Sequence, residues 1–449
     1  MQPFELDKSD ISRLRQAIEA DNITLQSVLE EYHASEIAIL FKSISSEERE
    51  RIIHLLSVEK ASEVISEMDD ESHPETLLLQ LTPDKRTEIF EELDYDDATD
   101  IISLMDEEEQ KDILDELNED DASSIRNLLQ YDEESAGGLM NTQFISINID
   151  LTKKEAIPEI IRQSEEIEEF YTVFAVDEES KFKGIVSLKS ILKAKSSQKI
   201  ADLVKEDAVY VFAQTDQEEV AKLISQYNLT SIPVLDSDMR LLGRVTFDDV
   251  IDVLEEENTE DILRISGVSE DEELGGNWKE AVKSRLPWLI LNLGTAFLAS
   301  SVVRHFKGTL EDISILSAYM TIIAGMGGNA ATQALAVTVR RISLNDLTDS
   351  QAYRTVLKEV TVGLINGAVT GLIIFVFANY FDANPMLGLV VFLAMTFNML
   401  IAGITGAGIP LLLKRIGIDP AIASSIIITT FTDVFGFLFL LGIATEFLL

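Results

Sequence analysis

The stretch Pro420–Thr445, PAIASSIIITTFTDVFGFLFLLGIAT, is long enough to cross a bilayer and carries one ionisable side chain, Asp433, near its middle. Such a run fixes the class of the chain first, because about 20 consecutive apolar residues span the hydrocarbon. A charge at the midplane costs roughly 2.5–3.5 kcal/mol on insertion scales, so residues of this kind face a bundle interior or water. Thr429 and Thr430 stand one turn before Asp433 and Gly436 three residues after it. The same face therefore offers hydroxyl oxygens and room for close backbone approach, a combination that suits a hard cation. The competing reading is a protonated Asp433 hydrogen-bonded to a neighbouring helix.

Four further runs are uncharged or nearly so: Pro287–Val303, Ile313–Val339, Val360–Phe381 and Ala383–Leu413. With the N-terminus inside, the inner flanks hold Lys279, Lys283, Arg285, Arg340, Arg341, Arg354, Lys358, Lys414 and Arg415, and the outer loops only Arg304 and Lys307. That asymmetry predicts a cytosolic N-terminus and an outer C-terminus. The start, MQPFELDKSD, lacks a basic then apolar segment, so no cleaved signal peptide is expected.

Charge divides the chain. Residues 281–449 hold 10 Lys/Arg and 9 Asp/Glu, whereas residues 1–280 hold 26 and 70, a net of −44. So acidic a part disfavours nucleic acid and anionic lipid surfaces and favours small cations, although most charge runs are simply solvated faces. The absence of cysteine excludes zinc–thiolate sites, and the four scattered histidines suggest no metal role.

From about residue 10 to 134 the apolar spacing is helical, and Leu-x4-Ala-x2-Ile/Val recurs at Leu56/Ala61/Val64, Leu93/Ala98/Ile101 and Leu117/Ala122/Ile125. Stacked helical hairpins sharing a buried face produce such a repeat. After the linker YDEESAGGLM, the segment Phe174–Ile191 is echoed by Ile232–Val250: strand, acidic turn, glycine, strand, helix. The pattern resembles a tandem pair of CBS domains, which often bind adenine nucleotides through Ser/Thr-x-x-Asp. The second copy has Thr246 and Asp249; the first has Ser187 and Ser190. A strongly acidic helix over Asp248–Ile265 follows, with Asp249, Asp252, Glu256 and Glu260 on one face. Like charges at that spacing destabilise a helix unless cations gather there.

In the second run, GMGGNAATQ (Gly325–Gln333) contains a formal Gly-x-Gly-x-x-Ala, but no strand precedes it and dinucleotide binding is rejected. It reads instead as a glycine-rich break in a membrane helix, where Asn329 and Gln333 meet a hydrated pore, or as small-residue helix packing. Asn398 in the fourth run poses the same choice. No Gly-x4-Gly-Lys-Ser/Thr and no nucleophile–base arrangement occurs, so neither an ATP-driven pump nor an enzyme is expected.

The fold class expected is multidomain: an N-terminal α-helical superhelix (1–134), an α/β tandem CBS pair (135–200 and 201–247), an acidic connecting helix (248–270) and a five-helix transmembrane domain (271–449). That order, together with AGMGGNAATQ, LLLKRIGIDPAIAS and TTFTDVFGF, resembles the bacterial MgtE family of magnesium channels over essentially the whole chain. The resemblance implies an inner-membrane homodimer in contact with lipid, with its pore on the dimer axis. It implies Mg2+ as both the transported and the regulatory ion, with ATP a further ligand. Asp433 is the implied pore carboxylate, with Asn329 and Thr429 beside it. The implied sensor acids are Glu63, Asp96, Asp100, Glu218, Asp249, Asp252, Glu257, Glu260 and Asp261, with Asp419 at the membrane edge. Three positions depart from the family pattern: Asn228 in place of a sensor acid, Ser190 in place of the ribose-type Asp, and Ser425-Ile426 where a proline is common. Alternatives are a Na+- or H+-coupled exporter and a membrane-anchored CBS sensor.

Overall fold

The computed structural model describes residues 8–165, 167, 170, 172–205, 207–269, 272, 277–344, 349–422 and 425–449. The chain forms two compact units, Met1–Glu256 and Glu257–Leu449.

The first unit begins with ten described helices, from Lys8–Glu19 to Glu119–Leu128, around one apolar core. They are short because capping residues interrupt them. Ser57 accepts from Lys60 N, and Asn118 accepts from Asp120 N and Asp121 N. Each supplies an acceptor to otherwise unpaired first-turn amides. The caps also account for the repeated triplet. Its Leu is the extended C-cap of one helix, and its Ala and Ile/Val lie inside the next. All nine side chains are buried.

Two three-stranded sheets follow, β1 (Ser146–Asn148), β2 (Thr172–Val176) and β3 (Phe182–Ser187), then β4 (Val211–Phe212), β5 (Ser231–Leu235) and β6 (Leu241–Thr246). In each, the first pair is parallel and the second antiparallel, with the irregularity at the same place: Ala175/Val176 and Val234/Leu235. The acidic turns are copies as well. Asp177 accepts from the amides of Glu179 and Lys181, and Asp236 from those of Asp238 and Arg240. The echoed glycine marks where backbone crosses each sheet. At Gly184 (φ +139°) a Cβ would collide with the Lys205 carbonyl, and at Gly243 it would lie 2.8 Å from that of Asn141. The crossing strands are exchanged: Lys205 bridges to Ile185 in the first sheet, and Asn141 to Arg244 in the second.

In the second unit, five helices are long and apolar enough to cross a membrane: Trp278–His305, Leu316–Leu344, Asp349–Phe381, Pro385–Arg415 and Ser425–Leu448, here called spans one to five. Span two is continuous through Gly325–Gln333. The break expected there does not form, because each glycine keeps helical backbone and only surrenders side-chain volume. Span five begins at Ser425, after a 3-10 turn at Pro420–Ile422, rather than at Pro420. Spans three and four pack on a glycine seam. A Cβ at Gly363 would collide with Met399 O, and those at Gly367 and Gly371 would stand 2.8 Å from Thr396 Cα and 2.9 Å from Phe392 O. Within lipid, such close backbone approach replaces the hydrophobic drive that binds soluble helices.

Candidate metal centres

Asp433 is half-buried on span five and forms no hydrogen bond or ion pair among the described residues. Thr429, one turn earlier, packs on span two, with its Cγ2 3.3 Å from a Cβ placed at Gly328. The nearby hydroxyls donate backwards along their own helix: Thr429 and Thr430 to Ile426 O at 3.2 and 2.7 Å, and Thr432 to Thr429 O at 2.9 Å. Their protons are used and their lone pairs remain, which is the polarity a cation needs. Asn329 and Gln333 are exposed on span two, one turn apart, in line with Gly325, where a Cβ would meet only open space. A polar row on an apolar helix is thus turned away from the core of the helix bundle. Asn398, by contrast, is buried inside it and is not part of this row.

At one end of the second unit, Arg264 of the acidic helix Phe247–Ser266 pairs with Glu260 and, at 2.5 Å, with Asp419. Asp419 also accepts from Ala421 N at 2.9 Å. Asp261 accepts from Ser343 Oγ at 3.2 Å, and its carboxyl is held above the usual range by burial and then by the Asp419 charge. Glu257 is half-buried on the same helix. Sequence reasoning misses Arg264, although a lone cation in an acidic helix is the signal for it.

In the first unit the helix Tyr95–Ser103 turns its acids towards the start of the acidic helix. Asp96 is buried and accepts from Asn141 Nδ2 at 3.1 Å. Burial, then the charges of Asp97 and Asp249, pushes its carboxyl well up. Asp97 is pushed up to about 7, by burial first and then by Asp94, Asp249 and Glu67. Asp100, whose side chain still reaches solvent, is raised too, by the protein packed around it and then by Asp97 and Asp70. Asp249 is raised by burial, against the hydrogen bonds from Thr246 N at 3.1 Å and Thr246 Oγ1 at 2.5 Å. Asp252 is raised by burial and then by Glu67. The structure therefore draws Asp96, Asp97, Asp100, Asp249 and Asp252 into one field. Glu63 is exposed on the helix whose Glu67 bears on that field, and Glu218 is exposed in the first turn of Gln217–Tyr227. Among the described residues no group of three or more acidic or histidine side chains converges as a metal cage.

The two Ser/Thr-x-x-Asp positions differ in chemistry. Asp249 accepts from both Thr246 N and Thr246 Oγ1, whereas Ser187 Oγ meets Ser190 Oγ at 2.7 Å and accepts from Ser190 N at 3.2 Å. A neutral pair stands where its counterpart carries a carboxylate.

A helical acidic domain, a duplicated α/β module and five bilayer-length helices define a multi-pass membrane protein with a large soluble part. The family model described as a divalent cation transporter matches residues 320–443; that of the MgtE intracellular N domain matches 32–134, and CBS domains match 136–197 and 200–256. The chain is 38% identical over 318 residues to the magnesium transporter MgtE of Enterococcus faecalis, covering 71% of this chain and 70% of the relative. It is 34% identical over 434 residues to the Thermus thermophilus magnesium transporter MgtE, covering 95% of each chain. The solved cytosolic domain of the Mg2+ channel MgtE in complex with ATP matches with a TM-score of 0.52 and 34% identity, over 54% of this chain and 99% of that one. The chain belongs to the MgtE family.

Proposed function

We propose that this protein is a homodimeric Mg2+ channel mediating uptake across the inner membrane and closed by Mg2+ on its acidic, cytosolic side. The observation that carries the reading is Asp433, without a partner among the described residues, one turn from the Thr429 that packs on Gly328, next in sequence to the outward-facing row of Asn329 and Gln333. Polar groups of this kind do not face lipid, so a second copy covers them and leaves a hydrated path between the two. Mg2+ sheds water reluctantly and demands octahedral geometry. Two Asp433 carboxylates about a two-fold axis hold it through retained water, with Thr429 and Asn329 oxygens completing the shell.

Regulation rests on the crowded acids. Asp96, Asp100, Asp249 and Asp252 fit a cation as opposed pairs, with Glu63 and Glu218 at the rim, and Glu257, Glu260, Asp261 and Asp419 form the membrane-edge group. Bound Mg2+ relieves the repulsion, favours the compact arrangement and holds the path shut through the acidic helix. The relative's ATP complex supports a nucleotide on Thr246 and Asp249 in this chain too, with Ser187 a weaker counterpart. Mg2+ flux into liposomes of the purified protein, without a Na+ or H+ gradient, tests the reading; no flux would overturn it.

A further inference from the structure

Asn398 is fully buried at the point where spans two, four and five meet. Its Nδ2 donates to the Ile323 carbonyl at 3.0 Å, tying span four to span two across 75 residues. Its Oδ1 receives no hydrogen bond from a described residue. The side chain fits because two neighbours have none. A Cβ at Gly327 would collide with Nδ2, and one at Gly436 would stand 2.9 Å from it.

Apolar packing alone does not explain this choice. Leucine would fill a similar volume in lipid without burying an acceptor that lacks a partner, and that acceptor is costly. The placement does have a consequence for the ion path. Gly327 precedes Gly328, which meets Thr429, and Gly436 lies three residues from Asp433. A wedge held at both glycines fixes the separation and rotation of spans two and five at the level of the ion-facing groups.

We infer that Asn398 is a positioning residue for the ion path, setting the spacing between the Asn329 row of span two and the Thr429–Asp433 row of span five. This rests on the reading of Asp433 as the pore carboxylate. Selectivity among hard cations depends on where a few oxygens stand, so a shift in that spacing shows in ion discrimination and not only in the amount of folded protein.

Asn398→Leu keeps the volume and removes the bond, and Gly436→Ala displaces the side chain while leaving Asn398 in the sequence. Each is purified, checked by size exclusion and reconstituted beside wild type, and flux is measured against Mg2+ and Ca2+ concentration. The expected result is a roughly fivefold or greater rise in half-saturating Mg2+ and a similar fall in Mg2+ over Ca2+ discrimination. Should Asn398→Leu fail to fold, Gly436→Ala decides the question. Wild-type half-saturation and discrimination, with flux scaling only with folded protein, would overturn the role of Asn398 alone. An inactive wild type would overturn the pore reading and this role together.

Discussion

Asp433 and the Asp96–Asp249 field present carboxylates in opposite ways. Asp433 stands alone on an apolar span, with oxygens beside it and no partner among the described residues. The soluble acids are crowded, and beyond burial it is their own company that perturbs them: the charges of Asp94, Asp249 and other neighbours raise the proton affinity of Asp96 and Asp97. A solitary charge suits an ion in passage, because a single weak contact lets it leave. A crowded field suits an ion that stays, since each bound cation removes several repulsions at once.

Removing the solitary carboxylate should have the largest effect. Asp433→Ala should bring Mg2+ flux to background, a loss of about a hundredfold or more for a path built on one charge, while dimer assembly by size exclusion is unchanged. Flux at the wild-type level would show that the isolated acid is structural. Next comes the crowded field. Neutralising Asp96, Asp100, Asp249 and Glu260 together should leave conduction intact and abolish closure at high internal Mg2+, read as flux against Mg2+ on the cytosolic side.

Titration of the field is a smaller effect with a definite sign. Asp97 keeps its proton up to about pH 7 in the folded chain, against an ordinary carboxyl value of 3.8. Between those values the folded state holds a proton that the unfolded state has released. Stability fully present below about pH 4 is therefore lost as pH rises to about 7, and the loss levels off above it. Without divalent ions, the apparent Tm of the soluble part should fall by several degrees between pH 5 and pH 7, on the order expected for ~2 kcal/mol in a unit of this size. Added Mg2+ should raise it more at pH 7, where the carboxylates are freer to bind. An equal Mg2+ effect at both values would separate the field from cation binding.

The smallest effect concerns the duplicated module. Ser190→Asp should convert the neutral Ser187 pair into the charged kind seen at Thr246–Asp249 and tighten ATP binding several-fold by calorimetry, as expected for one charge-assisted hydrogen bond of about 1.5–3 kcal/mol partly offset by desolvation. Tight binding in the unaltered chain that is lost on removing Ser187 would show that the neutral pair already holds the nucleotide.

Much of this was legible in the sequence where a residue's chemistry and its spacing agree. The triplets at Leu56, Leu93 and Leu117 announced stacked helices because a capped helix end repeats its burial pattern. The echoed glycines announced the duplication because Gly184 and Gly243 each face a crossing backbone. Asp433 stood out through its isolation alone. Illegible were features decided by contact across distant segments. The glycines of GMGGNAATQ read as a break, yet Gly327 makes room for Asn398 from another span, and nothing local distinguishes these uses. Asp97 and Asn141 were missed because their importance lies in what the fold brings beside Asp96, 45 residues from Asn141.

In the proposed mechanism a solitary carboxylate conducts Mg2+ while a crowded field, loaded with the same ion, shuts the path. It is tested most directly by Mg2+ flux through the reconstituted wild-type protein, with no counter-ion gradient, as Mg2+ or an equal ionic strength of NaCl is placed on the side of the acidic domain. Flux at low Mg2+, closure at millimolar Mg2+ and no closure by NaCl are the expected results. Equal closure by NaCl, or flux only with a Na+ or H+ gradient, would contradict the claim.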